Sequence, residues 1–300
     1  MEAGNLVTDI TGYGNGAGVK GSTRISTQCM CLVLACVLSA TAARAQQPAA
    51  AAEHESADLA KQLSNPIASL VSVPFQFNWE QNVGPSDLTR FILNVQPVMP
   101  FTVNEDVNLI VRVIAPLVSQ PPLVADGAAA FGIGDITTSF FVSPSKSKRL
   151  IWGAGPVIVL PSTSEPTLGS GKWSTGPTVV ALKQAGQWTV GALWNQVWSF
   201  SGDATRSDVN QMFFQPFVAY QATHTITLSV QSETTANWEA DDDAGRWTVP
   251  INFSVSKLSS FGTFPASYQL GFGVFPVHPE IGPSWKIRAV IVLLLPRGKR

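Results

Sequence analysis

The clearest feature of the sequence is a strict alternation of apolar and polar residues between Arg246 and Ser256. The apolar members of this stretch are Trp247, Val249, Ile251, Phe253 and Val255. A period of two places such side chains on one face of a β-strand and the polar ones on the other. The apolar face must contact either a second sheet, as in a soluble sandwich, or lipid, as in a membrane barrel with a wet lumen.

The same alternation recurs along the chain between clusters of Gly, Pro, Asn and Asp, and it predicts about twelve strands. The predicted strands cover residues 70–81, 88–101, 107–119, 132–143, 150–162, 173–184, 188–201, 208–220, 224–235, 246–256, 267–276 and 284–295. We therefore expect an all-β fold, an antiparallel up-and-down transmembrane β-barrel of about 12 strands, within a range of about 10 to 14. An even strand number lets the sheet close with both termini on one side.

The predicted connections differ in length between the two ends of the barrel. Turns at Asn104, Pro144, Ala185 and Gln221 are mostly short and are assigned to the periplasmic side, whereas loops from Gln120, Thr163, Gly202 and Asn237 are mostly longer and are assigned to the outside. Bacterial outer-membrane barrels show this asymmetry. Two connections do not follow it, the long one over 257–266 and the short one at Val83.

The composition favours lipid as the apolar partner. The chain is 45% hydrophobic but only 13% charged, against about 25% charged in soluble domains. After the first fifty residues, no apolar run approaches the roughly 20 residues that a spanning helix needs. Tryptophans fall at predicted strand ends, the outer ends for Trp79, Trp198, Trp247 and Trp285 and the inner ends for Trp152 and Trp188. Such placement is typical of interfacial aromatic belts, and a soluble periplasmic sandwich is the rival fold.

The N-terminus has the pattern of a secretory signal peptide, predicted over residues 1–45. An apolar block, Cys29 to Ala43, follows Lys20 and Arg24 and precedes Ala43-Arg44-Ala45, a small-x-small cleavage pattern. The glycine-rich residues before the block suggest a true start codon downstream of Met1. We expect a periplasmic lead-in over 46–66, unstructured from Gln46 to Ser56, then the barrel over 67–296 and a basic tail over 297–300.

Cysteine and charge usage narrow the chemistry of the exported chain. All three cysteines lie in the signal segment, so the mature chain forms no disulfide or thiolate metal site; a lipoprotein signal ending at Cys36 is a weaker interpretation. Cleavage after Ala45 leaves 16 basic and 18 acidic residues, which gives no basic surface for nucleic acid. The expected location is the cell outer membrane, with outer-membrane lipid, lipopolysaccharide, a small-molecule solute and the barrel-assembly machinery as partners.

Two stretches resemble a known family. Residues 59–76, Leu-Ala-Lys-Gln-Leu-Ser-Asn-Pro-Ile-Ala-Ser-Leu-Val-Ser-Val-Pro-Phe-Gln, and the strand opening Gly132-Ile-Gly-Asp135 are similar to the bacterial outer-membrane family named after the meta pathway of phenol degradation. Its members are often titled "transporter" or "neuromedin U". The resemblance implies an outer-membrane barrel that passes small molecules, in some cases aromatic ones, and transfers no binding residues. The chain departs from usual barrels because it ends Leu293-Leu-Leu-Pro-Arg-Gly-Lys-Arg300 without a terminal aromatic, which bears on assembly.

The polar face of the predicted strands gives the candidate functional residues. The residues that parity turns toward the lumen are Glu80, Arg90, Asn94, Gln96, Asn108, Arg112, Gln231, Glu233, Asn252, Lys286 and Arg288. A ladder of both charge signs can form an electrostatic constriction for a solute, which predicts a passive channel. Alternatively these groups pair with one another and plug a narrow interior, because twelve strands lie between filled and open barrels; the product is then a structural or adhesive barrel.

No residue pattern predicts catalysis, a metal or a cofactor. The histidines, His54, His224 and His278, are scattered, and their spacing suits no metal site. A barrel lipase needs a Ser-His pair at the outer rim, and only His278 is expected near it. The run Asp241 to Asp243 lacks the spacing of a calcium loop and is interpreted as a solvated loop. The expected protein is not an enzyme.

Overall fold

The computed structural model describes residues 49–146, 150–262 and 264–295. Within these ranges the chain forms two α-helices, one 3-10 turn at 166–168, and fifteen strand segments. The elements in chain order are α1 Ala49–Leu63, β1 Val71–Val83, β2 Leu88–Val95, β3 Val98–Thr102, β4 Val107–Gln120, β5 Ala130–Ile133, β6 Ile136–Pro144, β7 Ile151–Leu160, β8 Lys172–Ala185, β9 Trp188–Gly202, β10 Asn210–Gln221, β11 Ile226–Ser232, β12 Thr234–Asn237, α2 Asp243–Arg246, β13 Trp247–Phe261, β14 Phe264–Val277 and β15 Trp285–Leu295. The predicted signal peptide and the basic tail lie outside the described residues.

The fifteen segments form twelve barrel strands, because three strands are each interrupted once. β2 and β3 both pair with β1 and β4, and β11 and β12 both pair with β10 and β13. β5 and β6 both pair with β4. The first break contains Pro97, which has no N–H to donate to the ladder.

The sheet closes on itself through its first and last strands. β1 pairs antiparallel with β15 in unbroken register from Val71 opposite Leu295 to Gln81 opposite Trp285. Each of the twelve barrel strands then has a neighbour on both sides, and only the short segment β5 pairs on one side, with β4. The predicted antiparallel barrel of about 12 strands is confirmed, and the rival soluble sandwich is wrong.

The outer surface of the barrel is apolar and its interior is polar, the reverse of a soluble protein. On β13 the Phe253 side chain is 51% exposed, whereas the neighbouring Asn252 is only 5% exposed. Aromatic pairs lie toward the strand ends, Trp79 with Phe91 at one end and Trp188 with Tyr220 at the other. The alternation in the sequence therefore separates an outward apolar surface from an inward polar one, as in barrels embedded in lipid.

The prediction of a long connection over residues 257–266 is wrong. β13 continues to Phe261, which pairs directly with Phe264 at the start of β14, and Gly262 between them has a φ of +60°. The left-handed conformation that such a tight turn requires is readily adopted by glycine. The serines at 259 and 260 weakened the alternation on which the prediction rested. With this correction, every connection at this end of the barrel is short.

From Ala49 onward a helix, α1, stands where an unstructured segment was expected over residues 46–56. Four consecutive alanines open the helix, and alanine has the highest helix propensity. The helix ends near Asn65-Pro66, and proline cannot continue a helix. Within the described residues neither helix is long and apolar enough to cross a membrane. We call the end of the barrel where α1 lies the α1 end, and the opposite one the loop end.

At the loop end, residues 161–171, here called the cover loop, fold against the strand opening Gly132-Ile-Gly-Asp135. Ser164 Oγ accepts a hydrogen bond from the Ile133 N–H at 3.0 Å, and Asp135 Oδ2 accepts from the Ser170 N–H at 2.6 Å. A Cβ atom on Gly132 would lie 1.9 Å from Ser164 Oγ. Glycine at this position therefore permits the cover loop to approach the strand closely.

The cover loop is also linked to the next loop at this end, residues 203–209. The Arg206 guanidinium donates to the Gly169 carbonyl oxygen, and Lys172 Nζ lies 3.1 Å from Asp208 Oδ1. Hydrogen bonding and attraction from the Lys172 ammonium hold the pKa of the Asp208 carboxyl below its ordinary value. Both loops are thus fixed by contacts from β5, from Asp135 after it and from β8, and by one contact between the loops.

We expect Phe253→Arg to destabilise the barrel by about 2–4 kcal/mol, because the side chain lies on the apolar outer surface in the middle of β13. Phe261→Arg is the matched control. It is equally outward-facing, with 57% exposure, but it lies at the strand end, where the cost falls to about 0–1 kcal/mol. Denaturant titration in lipid vesicles measures both values. Equal costs for the two variants would contradict a lipid-facing surface.

We expect Gly132→Val to detach the cover loop, because the new side chain occupies the position of Ser164 Oγ. Thermolysin cleavage at the Thr167–Leu168 bond of the cover loop, followed on the folded barrel in vesicles, should then become at least several-fold faster than in wild type. Ile133→Val, at the adjacent outward-facing position, is the control and should leave the rate unchanged. The docking described above is refuted if the two variants are cleaved equally fast.

Candidate functional site

The interior of the barrel is divided into an apolar half and a polar half. On the side of β3, β4 and β6–β9, inward side chains form a dry cluster that includes Ile110, Phe141, Val180 and Leu182. Ile67, in the segment between α1 and β1, inserts into this cluster and is only 3% exposed. Hydroxyl groups buried on the same strands, such as those of Ser143 and Thr178, donate to backbone carbonyls. We call this half the dry half.

The other half contains a cavity of about 400 Å³, here called the lumen cavity. Its wall is formed by β1, β2, β4, β10, β11 and β13–β15, and most of its polar groups are amides and hydroxyls. The uncharged polar residues of the wall are Gln76, Asn78, Asn94, Gln96, Gln215, Thr225, Thr227, Ser229, Gln231, Ser256, Ser267 and Gln269. Apolar side chains such as Ile92, Ile114, Phe217 and Val290 line the remainder. The cavity can therefore contact both polar and apolar parts of a small molecule.

One carboxylate and two cations form the main ion cluster of this wall. Arg288 donates to both oxygens of Glu233, at 2.8 and 2.6 Å, and Lys286 Nζ donates to Glu233 Oε2 at 3.2 Å. Arg288 Nε also donates to Asn78 Oδ1 at 2.7 Å. Lys286 and Arg288 are only 3% and 4% exposed. Such desolvated charges are tolerated because each has a partner of opposite charge and further hydrogen bonds.

A second ion pair and an arginine without a carboxylate partner complete the charged groups of this half. Arg90 Nε donates to Glu80 Oε2 at 2.7 Å, and a second nitrogen of Arg90 lies 2.6 Å from the same oxygen. Arg112 donates to the neutral Gln96 Oε1 at 2.9 Å. Across the described residues no carboxylate lies within ion-pair distance of Arg112. The four cations thus face only two carboxylates.

Helix α1 and the segment after it close the lumen cavity at the α1 end. Ala60, Leu63 and Pro66 form part of the cavity wall there. Two inward glutamines at the ends of their strands bind helix carbonyls: Gln184 Nε2 donates to Lys61 O at 2.9 Å, and Gln221 Nε2 donates to Ala57 O at 3.0 Å. We call the helix together with residues 64–70 the plug.

A second cavity, of about 110 Å³, lies between the plug and the wall. Leu63 and Pro66 line it on the plug side, and Gln96 and Arg112 line it on the barrel side. All four residues also line the lumen cavity. Arg112 therefore stands where the two cavities meet, beside the plug.

The structure places eight of the eleven predicted lumen residues in the wall of the lumen cavity: Glu80, Asn94, Gln96, Arg112, Gln231, Glu233, Lys286 and Arg288. Arg90 reaches the wall through its pair with Glu80. Asn252 is buried behind it, and its amide donates to the Gln231 carbonyl at 3.4 Å. Asn108, near the α1 end of β4, is outside the cavity wall.

Gln215 of β10 and Gln269 of β14 also line the wall and were not predicted. Gln269 alternates with the outward Tyr268 and Leu270, so parity could have found it. Gln215 lies between the inward Phe213 and Phe217, so alternation gives no signal for it. The two glutamines that hold α1 could not be found in this way, because their role depends on a helix that was not predicted.

The histidines and the acidic run form no site. His224 Nε2 lies 3.9 Å from Glu53 Oε1 of α1, and His278 Nδ1 contacts the Pro279 carbonyl. Asp242 accepts a hydrogen bond from the Gly245 N–H and so caps the short helix α2. In the parts of the chain that the structure covers, no three His, Cys, Asp or Glu residues are grouped to hold a metal ion.

Comparison with known proteins gives likeness in structure only. No family model matches the chain, and no curated protein matches its sequence. An outer membrane channel from Pseudomonas putida F1 is similar in structure, with a TM-score of 0.58 and 16% identity over 75% of this chain and 96% of that one. The NanC porin gives a TM-score of 0.49 with 10% identity, over 76% of this chain and 100% of that one. The chain thus shares its barrel fold with the Pseudomonas putida channel.

Proposed function

We propose that the protein is an outer-membrane channel through which small solutes pass by diffusion, along the polar half of the lumen. The α1 end faces the periplasm, where the connections are short, and the loop end faces outward. The chain reaches this membrane by export through a cleaved signal peptide. Its partners are then outer-membrane lipid, lipopolysaccharide, the barrel-assembly machinery and the solute itself.

The observation that carries this proposal is the lumen cavity. A barrel that serves only as a structural element gains stability from a completely filled interior, because packed apolar side chains avoid the desolvation of charges. This chain fills only one half in that way. The other half keeps about 400 Å³ of space, lined by amides, hydroxyls and charged groups, which is the lining expected of a polar solute path.

The plug is attached in a way that suits a removable closure. Its apolar anchor in the dry half is Ile67, after the helix. On α1 itself only the small side chain of Ala60 is fully buried, and the helix is otherwise held by Gln184 and Gln221 and by the more distant pair of Glu53 with His224. Each such hydrogen bond contributes only about 0.5–1.5 kcal/mol. The helix can therefore move away from the α1 end of the lumen cavity while the barrel remains closed and folded.

The fold relationship and the sequence resemblance support the same function. The structurally similar protein from Pseudomonas putida is an outer membrane channel, and the family that residues 59–76 resemble is associated with small, in some cases aromatic, molecules. We extend passive transport to this chain on these grounds together with the cavity. Catalysis has no support from the arrangement of the three histidines described above.

The competing function is a structural or adhesive barrel with a blocked lumen. The observation that favours it is the plug itself, since Ala60, Leu63 and Pro66 cover the α1 end of the cavity. The two functions differ in one measurable respect. A channel becomes more conductive when the helix is released, and a permanently blocked barrel does not.

We expect the double variant Gln184→Ala, Gln221→Ala to increase solute flux, because it removes both side-chain hydrogen bonds to α1. The loss of two bonds of about 0.5–1.5 kcal/mol each shifts the ratio of displaced to seated helix by about fivefold to 150-fold. Liposome swelling with small sugars and amino acids, and conductance in planar bilayers, measure the change.

Gln187→Ala is the matched control. This glutamine lies at the same end of the barrel, but its side chain accepts from the Tyr220 hydroxyl instead of binding the helix. It should leave flux unchanged. If the double variant forms a heat-modifiable barrel yet passes no solute and carries no current, the transport function is refuted in favour of the structural one.

A further inference from the structure

We infer that the lumen cavity is a binding site for a small organic anion, with Arg112 as the group that binds its carboxylate. This inference rests on the proposed function in one respect only, namely that a solute reaches the cavity. It adds the chemical class of the solute, an acid with a compact apolar body, and it names the residue that recognises the charge.

The cavity wall carries more positive than negative charge. Arg90, Arg112, Lys286 and Arg288 bring four positive charges, and Glu80 and Glu233 bring two negative ones. Glu80 is matched by Arg90, whereas Glu233 is shared by Lys286 and Arg288. Two positive charges therefore remain uncompensated among the described residues of this half. In a space of low dielectric such an excess attracts anions and repels cations.

Among the described residues, Arg112 has no carboxylate partner within ion-pair distance. Its guanidinium carries five N–H donors in a planar fork suited to a carboxylate, and the protein partner seen for it is the neutral oxygen of Gln96 at 2.9 Å. Arg288, in contrast, already uses its fork on Glu233 at 2.8 and 2.6 Å. Of the arginines that line the cavity, Arg112 is thus the one whose charge is available to a ligand.

The cavity wall near Arg112 also contains apolar side chains. Ile114 is two residues from Arg112 on the same strand and lines the same cavity, and Leu63, Phe217 and Val290 add further apolar surface. A volume of about 400 Å³ lies near the lower limit of small-molecule sites. A ligand with one carboxylate and about one ring or a short alkyl chain satisfies both the charge and the apolar surface.

Benzoate is a suitable probe, and benzamide is its neutral counterpart of nearly the same shape. We expect the full-length barrel in detergent to bind benzoate in isothermal titration calorimetry at least about tenfold more tightly than benzamide, because only the anion makes a charge-assisted hydrogen bond. This comparison uses the wild-type protein, so it does not depend on the folding of any variant. Equal affinities for the two compounds would overturn the inference.

Arg112→Gln tests the assigned residue, since it removes the charge but keeps a hydrogen-bond donor. We expect about a tenfold loss of benzoate affinity and no change for benzamide. Lys183→Gln is the control, because it makes the same charge change on the outward face of β8, and it should bind benzoate as wild type does. If Arg112→Gln retains wild-type benzoate affinity in a heat-modifiable barrel, Arg112 is not the recognition group.

The binding and transport measurements separate this inference from the proposed function. Benzoate binding without any solute flux, even in the Gln184→Ala, Gln221→Ala variant, would support the anion site and refute the channel. Flux of neutral sugars, together with equal binding of benzoate and benzamide, would support the channel and refute the anion site. In the conducting variant, a reversal potential under a KCl gradient should show chloride more permeant than potassium.

Discussion

The pairing of β1 with β15 is the constraint on which the remainder of the structure depends. It closes the sheet and so gives each of the twelve barrel strands a hydrogen-bonding neighbour on both sides. A sheet in lipid requires this because no water is there to satisfy free backbone groups. Closure also fixes the parity of each strand, because a shift of one residue would turn all of its side chains to the opposite face. The position of Phe253 outside and Asn252 inside is therefore a consequence of register, and so is the presence of charged groups in the lumen.

Closure leaves an interior that must be filled or hydrated, and this chain does both. The dry half is packed by branched and aromatic side chains together with Ile67, and it anchors the plug. The polar half cannot be filled in the same way, because Glu233, Lys286 and Arg288 need one another and their amide neighbours. Removing one partner would leave an uncompensated buried charge, which is strongly destabilising. The interior thus combines a packed wall with a cavity, and the ion pairs of Glu233 with Lys286 and Arg288 fix the positions of the charges in that cavity.

The parts of this architecture that follow from local periodicity could be predicted from the sequence, and the parts that follow from tertiary contact could not. All twelve strand positions were found from alternation, although the end of β13 was missed where serines at 259 and 260 weaken it. Parity also gave the inward residues, but it could not distinguish Asn94, in the cavity wall, from Asn108, outside it. Helix α1 was not predicted because its apolar stripe is short and weak, consisting of Ala57, Ala60 and Leu63. Its position depends on Gln184 and Gln221, more than a hundred residues away. The motif at 132–135 could be recognised in the sequence, but its contacts with the cover loop could not be predicted.

The position of Arg112 connects the proposed anion site to the plug. Arg112 lines both the lumen cavity and the smaller space beside Leu63 and Pro66, so an anion bound there would lie against the element that closes the α1 end. A ligand shifts a conformational equilibrium only as far as it binds one state better than the other. An anion that gains contact area when α1 leaves would favour the displaced helix, whereas one that packs on Leu63 would favour the seated one. The size of the apolar body, beyond its charge, then decides whether a bound acid promotes its own passage or holds the plug in place.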